Sequence, residues 1–328
     1  MPANLPPQYY KAEDQYRQAQ SAKEELEALQ LMLQLMPKHK GTDRLQADLK
    51  AKISETRKDA EEEQKAPKGG RSFRIPRQGS GQIVVLGGPN AGKSRVIAEL
   101  TNAEPAVAEY PFTTHEPLPA MMPWEDVRVQ LIDTPPISAQ HIDPWLVGMV
   151  RAADAALLCF DGSSDDAPEH TADVLRQLES RKTKLSSRTG LDEDSFAVVN
   201  VRTLLCVTRG DDPDAAMRLE FLRELAPHDF PTVFVEFDRE DSREALRTEL
   251  FRLLHVIRIY TRKPGTKAEY IDPYTIAEGG TVEDLAYRIH RDMAETVTSA
   301  RVWGDSARDG QTVGREHPLC DRDMVELH

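Results

Sequence analysis

Gly87-Gly88-Pro89-Asn90-Ala91-Gly92-Lys93-Ser94 is the stretch on which the reading of this chain turns. It satisfies GxxxxGK[ST], and its surroundings suit it: Gln82 to Leu86 is a short β-branched strand, and a helical pattern follows from Lys93 to Leu100. Glycines let the backbone between strand and helix curl until successive N–H groups point at one set of phosphate oxygens. Lys93 adds a positive charge beside the β- and γ-phosphates, and the Ser94 hydroxyl is a ligand for Mg2+. The expected phosphate cradle is Gly87, Gly88, Pro89, Asn90, Ala91, Gly92, Lys93, Ser94 and Arg95. The strand–loop–helix context makes the motif specific; the bare pattern is weaker.

Downstream, strand candidates at Val127–Ile132, Ala155–Phe160, Thr203–Val207 and Thr232–Val235 alternate with helical patterns at Ala167–Arg181, Ala215–Leu225 and Ser242–His255. Such alternation predicts an α/β fold, a mainly parallel sheet with helices on both faces. Asp133 follows the second strand, where an acid reaches the Mg2+ shell. Pro111-Phe112-Thr113-Thr114 lies between helix and strand, and a threonine hydroxyl there, Thr114 in preference to Thr113, completes the coordination. Lys93 and Thr114 are the candidates for catalysis, and Ser94, Thr114 and Asp133 for the metal. Thr208-Arg209-Gly210-Asp211 fits [NT]KxD with Arg for Lys. The Asp211 carboxylate can accept from guanine N1 and N2; adenine lacks those donors and leaves the acid unpaired. The Arg209 stem can lie over the base. An ATPase remains a weaker alternative, separable by competition between GTP and ATP.

The chain has 328 residues, enough for two or three domains, with 39% hydrophobic and 30% charged residues. Its net charge of −13 argues against a surface devoted to nucleic acid, and no DNA partner is expected. Lys38 to Arg77 is locally basic, with twelve Lys/Arg against seven Asp/Glu. No apolar run approaches the roughly 20 residues of a membrane span, and Met1 to Gln30 lacks the apolar core of a secretory signal. Cys159, Cys206 and Cys320 read as reduced thiols of a cytoplasmic chain.

Tyr10 to Met36 reads as one helix with an apolar stripe at Leu26, Leu29, Leu33 and Met36, stopped by Pro37. After the basic turn Lys38-His39-Lys40-Gly41, Thr42 caps a second helix from Asp43 to about Gln64. The pair predicts an antiparallel helical hairpin or coiled-coil arm, serving either as a packing element or as a macromolecule-contacting arm with a basic tip. Lys65 to Ser80 is a linker, and Ser186 to Ser195 a polar loop. From Ile257 a smaller α+β module begins, with strands at Ile257–Thr261, Ala300–Trp303 and Met324–Leu327, a turn at Lys263-Pro264-Gly265, and a helix Val282–Met293 opened by Thr281 and Asp284 as an acidic capping box. The domains are expected at 1–66 (arm), 67–80 (basic linker), 81–256 (nucleotide-binding) and 257–328. His290 and His317 read as structural, Glu61-Glu62-Glu63 as a solvated helix end, and Trp303 as a core aromatic.

With these motifs the chain resembles the Obg-like translation-factor GTPases, most of all the developmentally regulated GTP-binding (DRG) branch. The resemblance spans the arm with Pro37–Thr42, the P-loop Gly88–Ser94, and Tyr110-Pro111-Phe112-Thr113-Thr114 as switch I. Ile257–Thr261, Gly280–Asp284, Val302-Trp303-Gly304 and Gly310–Gly314 resemble the C-terminal TGS domain, a ubiquitin-like β-grasp associated with RNA and ribosome contacts. It implies a P-loop GTPase binding GTP/GDP with Mg2+, hydrolysing GTP, and acting on ribosomes or RNA through the arm and the TGS domain. It also implies K+ at Asn90, which makes Asn90 a third catalytic candidate. Departures bear on turnover. The family's Asp-x-Pro-Gly reads Asp133-Thr134-Pro135-Pro136, and proline has no N–H to give a γ-phosphate. Ile137 stands where a water-orienting Gln might, and the small domain inserted after switch II is missing. The last guanine motif reads Glu236-Phe237, leaving the Phe237 N–H for guanine O6. The expectation is slow hydrolysis; the alternative is a degenerate GTPase acting as a nucleotide-binding RNA or ribosome tether.

Overall fold

A computed structural model describes residues 5–19, 22–37, 42–65, 75–101, 117–192, 198–263 and 270–328. The N-terminal helices are α1 (Pro7–Gln18), α2 (Ala22–Leu35) and α3 (Asp43–Lys65). The central domain runs β1 (Gln82–Gly87), α4 (Lys93–Leu100), β2 (Leu118–Trp124), β3 (Val127–Asp133), α5 (Pro144–Ala152), β4 (Ala155–Asp161), α6 (Ala167–Ser180), β5 (Thr183–Ser186), β6 (Gly190–Leu191), β7 (Val199–Thr208), α7 (Ala215–Leu225), β8 (Thr232–Val235) and α8 (Glu240–Leu253). The C-terminal module holds β9 (Val256–Thr261), β10 (Tyr274–Ala277), α9 (Val282–Ile289), α10 (Arg291–Thr296), β11 (Ser299–Gly304), β12 (Ala307–Gly314) and β13 (Asp323–Leu327).

The central sheet has the order β2-β3-β1-β4-β7-β5, with β6 and β8 also on β7. β3, β1, β4, β7, β5 and β8 pair in parallel; β2 and β6 are antiparallel. β1 and β4 are buried along their whole length, as strands covered on both faces must be. One face packs Val96, Leu100, Leu246, Leu250 and Phe251 from α4 and α8; the other packs Leu146, Val150, Val174, Leu178 and Leu222 from α5, α6 and α7. β2 escapes sequence reading because it carries Pro119 and Pro123, tolerated only because it is an edge strand.

The helix expected from Tyr10 to Met36 is two helices. Ala19 turns extended, at φ −59° and ψ 134°, and α1 folds back against α2. No Gly or Pro marks the break; burial decides it. Tyr9, Ala12 and Tyr16 of α1 form one buried stripe, and Ala28, Leu29, Met32 and Met36 another, and both join the core beneath α5. The Thr42 hydroxyl donates to the Pro37 carbonyl at 2.6 Å, closing the α2–α3 connection; the basic turn 38–41 lies outside the described residues. Glu13 of α1 accepts from the Leu191 N–H of β6, and Lys11 pairs with Asp284. Gly190–Leu191 thus makes a short strand within the expected loop 186–195.

The C-terminal sheet is β10-β9-β13-β11-β12, with β9 and β13 parallel and the rest antiparallel. α9 opens with the expected capping box between Thr281 and Asp284. The expected helix Val282–Met293 breaks at His290, whose extended backbone (φ −162°) and Nδ1, accepting from Asp292 N–H at 3.2 Å, start α10 afresh.

Arg258 joins this module to the central sheet. Its side chain is 4% exposed, reaching Asp321 at 2.7 Å and Asp126 at 3.0 Å, with Glu125 beside them. The guanidinium lies 5.0 Å from the Trp124 ring and 5.5 Å from Phe251, which stack on each other. Tyr260 also donates to Asp126, and Arg322 pairs with Glu125. Arg258 holds Glu125 below the usual carboxylate range; at Asp126 and Asp321 burial pushes upward but their hydrogen-bond partners outweigh it.

Replacing Arg258 by Ala is expected to cost about 2–4 kcal/mol, by stranding three carboxylates and emptying an aromatic slot. Urea unfolding of the full chain measures it. Because the carboxylates have depressed folded values, this contribution is complete above their unfolded values of 3.8 and 4.5 and is lost as pH falls through the lower folded ones. The wild-type advantage over R258A should therefore persist at pH 5 and shrink only below pH about 4.

Candidate functional site

β1 lies between β3 and β4, so its C-terminal end opens at the centre of the sheet edge where ligands of such folds sit. The loop 88–92 leads from it into α4. Gly92 has φ +88°, and a Cβ there would lie 3.0 Å from the Thr208 side chain, so both conformation and space require glycine. Asn90 adopts φ +58°, which Asn tolerates, and is exposed. Lys93 is buried at 8% exposure, with Nζ donating to the carbonyls of Gly87 (3.2 Å) and Gly88 (2.9 Å). Burial pulls its ammonium below the ordinary lysine range, against the opposing pull of Cys159 and Asp133.

Ser94 Oγ donates to Asp133 Oδ2 at 3.0 Å, bringing together two of the three expected metal residues. Thr114, with the whole segment 102–116, lies outside the described residues. The other carboxylate oxygen, Asp133 Oδ1, is buried with no hydrogen-bond partner. Burial raises the Asp133 carboxyl, and the Ser94 hydroxyl and Lys93 only partly offset it. A buried anionic oxygen without a donor, beside a hydroxyl, fits a hard divalent cation such as Mg2+, with oxygen ligands partly through water.

The segment after Asp133 is held down. Thr134 Oγ1 donates to the Val85 carbonyl at 2.6 Å, Ile137 N–H donates to the Gly87 carbonyl at 3.2 Å, and the Ile137 side chain is fully buried. Pro136, between them, is exposed. Ile137 is thus a core residue, turned inward from the place a water-orienting side chain occupies.

At the end of β7, Thr208 Oγ1 lies 3.1 Å from the Ala91 carbonyl and 3.2 Å from that of Phe160. Its hydroxyl is committed to tying the loop 88–92 to the end of β7, so Thr208 acts on the site through the backbone. This tie brings Arg209–Asp211 to the edge that carries Lys93. Asp211 is exposed. Arg209, expected over the base, has its guanidinium edge paired with Asp161. Phe237 is a core ring, with the Arg95 guanidinium 5.6 Å from its centre, and Arg95 pairs with Asp238 at 2.6 Å.

Two residues that sequence reasoning passed over brace this corner. Asp161 ends β4, and Arg218 of α7 reaches the Gly162 carbonyl, Asp212 and Asp165, each at 2.7 Å. Asp161 could have been noticed as an acid ending a strand neighbouring that of the P-loop; Arg218 carries no local signal.

Comparison with known proteins bears on the fold and the domains. Residues 82–195 match the 50S ribosome-binding GTPase family, and residues 257–328 match the TGS domain. The chain is 25% identical to an uncharacterized GTP-binding protein of Halobacterium salinarum, over 93% of this chain and 98% of that one. It is equally similar to one of Methanocaldococcus jannaschii, over 93% and 92%. The developmentally-regulated GTP-binding protein 2 homolog of Dictyostelium discoideum is 23% identical over 93% and 98%.

Lys93→Met keeps the length of the side chain and removes the buried charge. Affinity for GDP, by titration calorimetry, should fall at least about 100-fold, as expected for an ammonium that meets phosphate. Lys93 has a folded value below its unfolded 10.5, so the native state sheds the proton first and its contribution to stability rises with pH up to 10.5. Thermal melts of the nucleotide-free protein from pH 7 to 10 should show that slope reduced in K93M.

Proposed function

We propose that this chain, which belongs to the developmentally regulated GTP-binding proteins and joins a 50S ribosome-binding GTPase domain to a TGS domain, is a slow Mg2+-dependent GTPase working with the ribosome or its RNA. The observation that carries the reading is the buried pair Lys93 and Asp133, with the exposed Ser94 hydroxyl donating to Asp133 at the end of a glycine-rich turn and one carboxylate oxygen of Asp133 unsatisfied.

Residues 87 to 95 form the phosphate cradle, all but Pro89 offering a backbone N–H, and Lys93 stabilises the negative charge that grows on the β–γ bridging oxygen as water attacks the γ-phosphorus and GDP leaves. Ser94 and Asp133 would hold Mg2+, with Thr114 as the third group, and the ion would supply charge neutralisation for the phosphates. Asn90 is the candidate ligand for K+. Asp211 selects guanine, Arg209 packs on the base, and the Phe237 N–H meets O6. Pro136 withholds the amide that senses a γ-phosphate, and Ile137 is pinned to Gly87, so closure of this segment contributes little to the transition state. These two observations favour, as a second reading, a nucleotide-binding tether with little turnover. The basic stretch 38–77 and the TGS domain are the contact surfaces for RNA or the ribosome. A cytoplasmic site of action suits this reading; among the described residues no helix is long and apolar enough to cross a membrane.

Phosphate release from GTP, with and without ribosomes and in K+ versus Na+, tests the proposal: slow release, faster with ribosomes and in K+, is expected. No release under any of these conditions removes the enzyme and leaves the tether. Pro136→Gly should raise turnover several-fold with little change in GDP affinity. Asp211→Asn should weaken GDP about 100-fold while admitting xanthosine diphosphate, whose 2-oxo group accepts from the new amide.

A further inference from the structure

We propose that Asp161 is a positioning residue for the purine: it holds the edge of the Arg209 guanidinium so that its face is presented to the base. The inference rests on the guanine-nucleotide reading above and adds to it a residue outside the guanine motif.

β4 and β7 are parallel neighbours, and Asp161 pairs in register with Thr208. The last residue of one strand therefore stands beside the first residue of the base-recognition loop. Asp161 is only 8% exposed, and its Oδ1 accepts from the Ser163 N–H at 3.0 Å and the Ser163 hydroxyl at 2.9 Å. Those two bonds fix the carboxylate plane and leave Oδ2 for Arg209 Nη1. The Arg209 backbone is set independently, at φ +53°. The two loops are fastened at other points as well. Gly162 N–H donates to the Thr208 carbonyl at 2.8 Å, and a Cβ on Gly162 would sit 2.8 Å from the Arg209 carbonyl oxygen. Arg218 bridges Gly162 to Asp212. Thr208 in turn carries the arrangement to Ala91 of the phosphate loop.

An arginine is suited to this place in a way a lysine is not. Its planar fork can spend one edge on a carboxylate while the face stays open for stacking, and the Arg209 side chain remains 45% exposed. A free arginine gives up roughly 2 kcal/mol of rotamer entropy on being fixed. Here the carboxylate has already restricted it before nucleotide arrives, which is preorganisation of the stacking surface. The effect is indifferent to the base edge: it serves any purine, while Asp211 chooses among them.

The test is calorimetry of the full chain with GDP, ADP and tripolyphosphate, each with Mg2+, on wild type, Asp161→Asn, Arg209→Ala and the double variant. D161N keeps the size of the side chain and removes its charge. It should weaken GDP about tenfold, with no change for tripolyphosphate, which lacks a base. The double variant should bind GDP no more weakly than R209A alone. GDP affinity unchanged in D161N, losses that add in the double variant, or a parallel loss for tripolyphosphate would each overturn the role of Asp161. Should D161N fail to fold, Arg209→Lys tests the same pair, with a tenfold loss expected and no loss overturning it. A wild type that binds GDP no better than ADP defeats the guanine reading itself, whereas a GDP-selective wild type with an indifferent D161N defeats only this inference.

Discussion

A lysine ammonium held under a turn of backbone, hydrogen-bonded to two carbonyl oxygens, is an unfinished interaction. Desolvating Lys93 costs free energy that two neutral acceptors recover only in part, and the depressed ammonium and raised Asp133 carboxyl are two signs of that deficit. Phosphate oxygens on one side and a divalent cation on the other would complete both groups. The rest of the nucleotide domain serves to hold this deficit in place: a fully buried β1, a glycine at φ +88° that no other residue could replace without displacing Thr208, and a serine donating to the acid across the gap.

The same logic of paired charges assembles the larger architecture. Arg258 is buried at the junction of the two sheets, yet surrounded by three carboxylates and two stacked rings, so its cost is offset where Lys93's is not. Its carboxylate partners in the GTPase domain, Glu125 and Asp126, form the turn between β2 and β3, and β3 ends at Asp133. The TGS domain is thus fastened to the far end of the strand that ends at Asp133. α1 adds a third body, with Glu13 on β6 and Lys11 on the first turn of α9.

Much of this was legible in the residues because local rules and tertiary packing agree there. The P-loop, the strands that carry Asp133 and Thr208, and the capping box at Thr281 each have a short-range signature with a physical cause. Where long-range burial decides, the residues were silent. The bend at Ala19 lies in a run of good helix formers, and the proline-bearing β2 contradicts strand propensity. In the candidate site, the residues that lie in the motifs were foreseeable, but their engagement was not. Thr208 spends its hydroxyl on the phosphate loop, Arg209 spends one edge on Asp161, and Ile137 faces the core. Such partners come from adjacent strands, and pairwise tertiary geometry leaves no trace in a single chain.

The prolines of β2 have one further effect. The two-residue turn at Glu125 and Asp126 closes on the pair Trp124–Val127, and such tight hairpins close on a hydrogen-bonded pair. Alternation then turns the backbones of Pro119, Met121 and Pro123 away from β3. Two of these three carry no N–H, so a strand arriving from another molecule would find a single donor along this margin of the sheet. The margin resists runaway cross-molecular polymerisation, and a macromolecule meeting the protein there must be read by side chains instead of by an added strand.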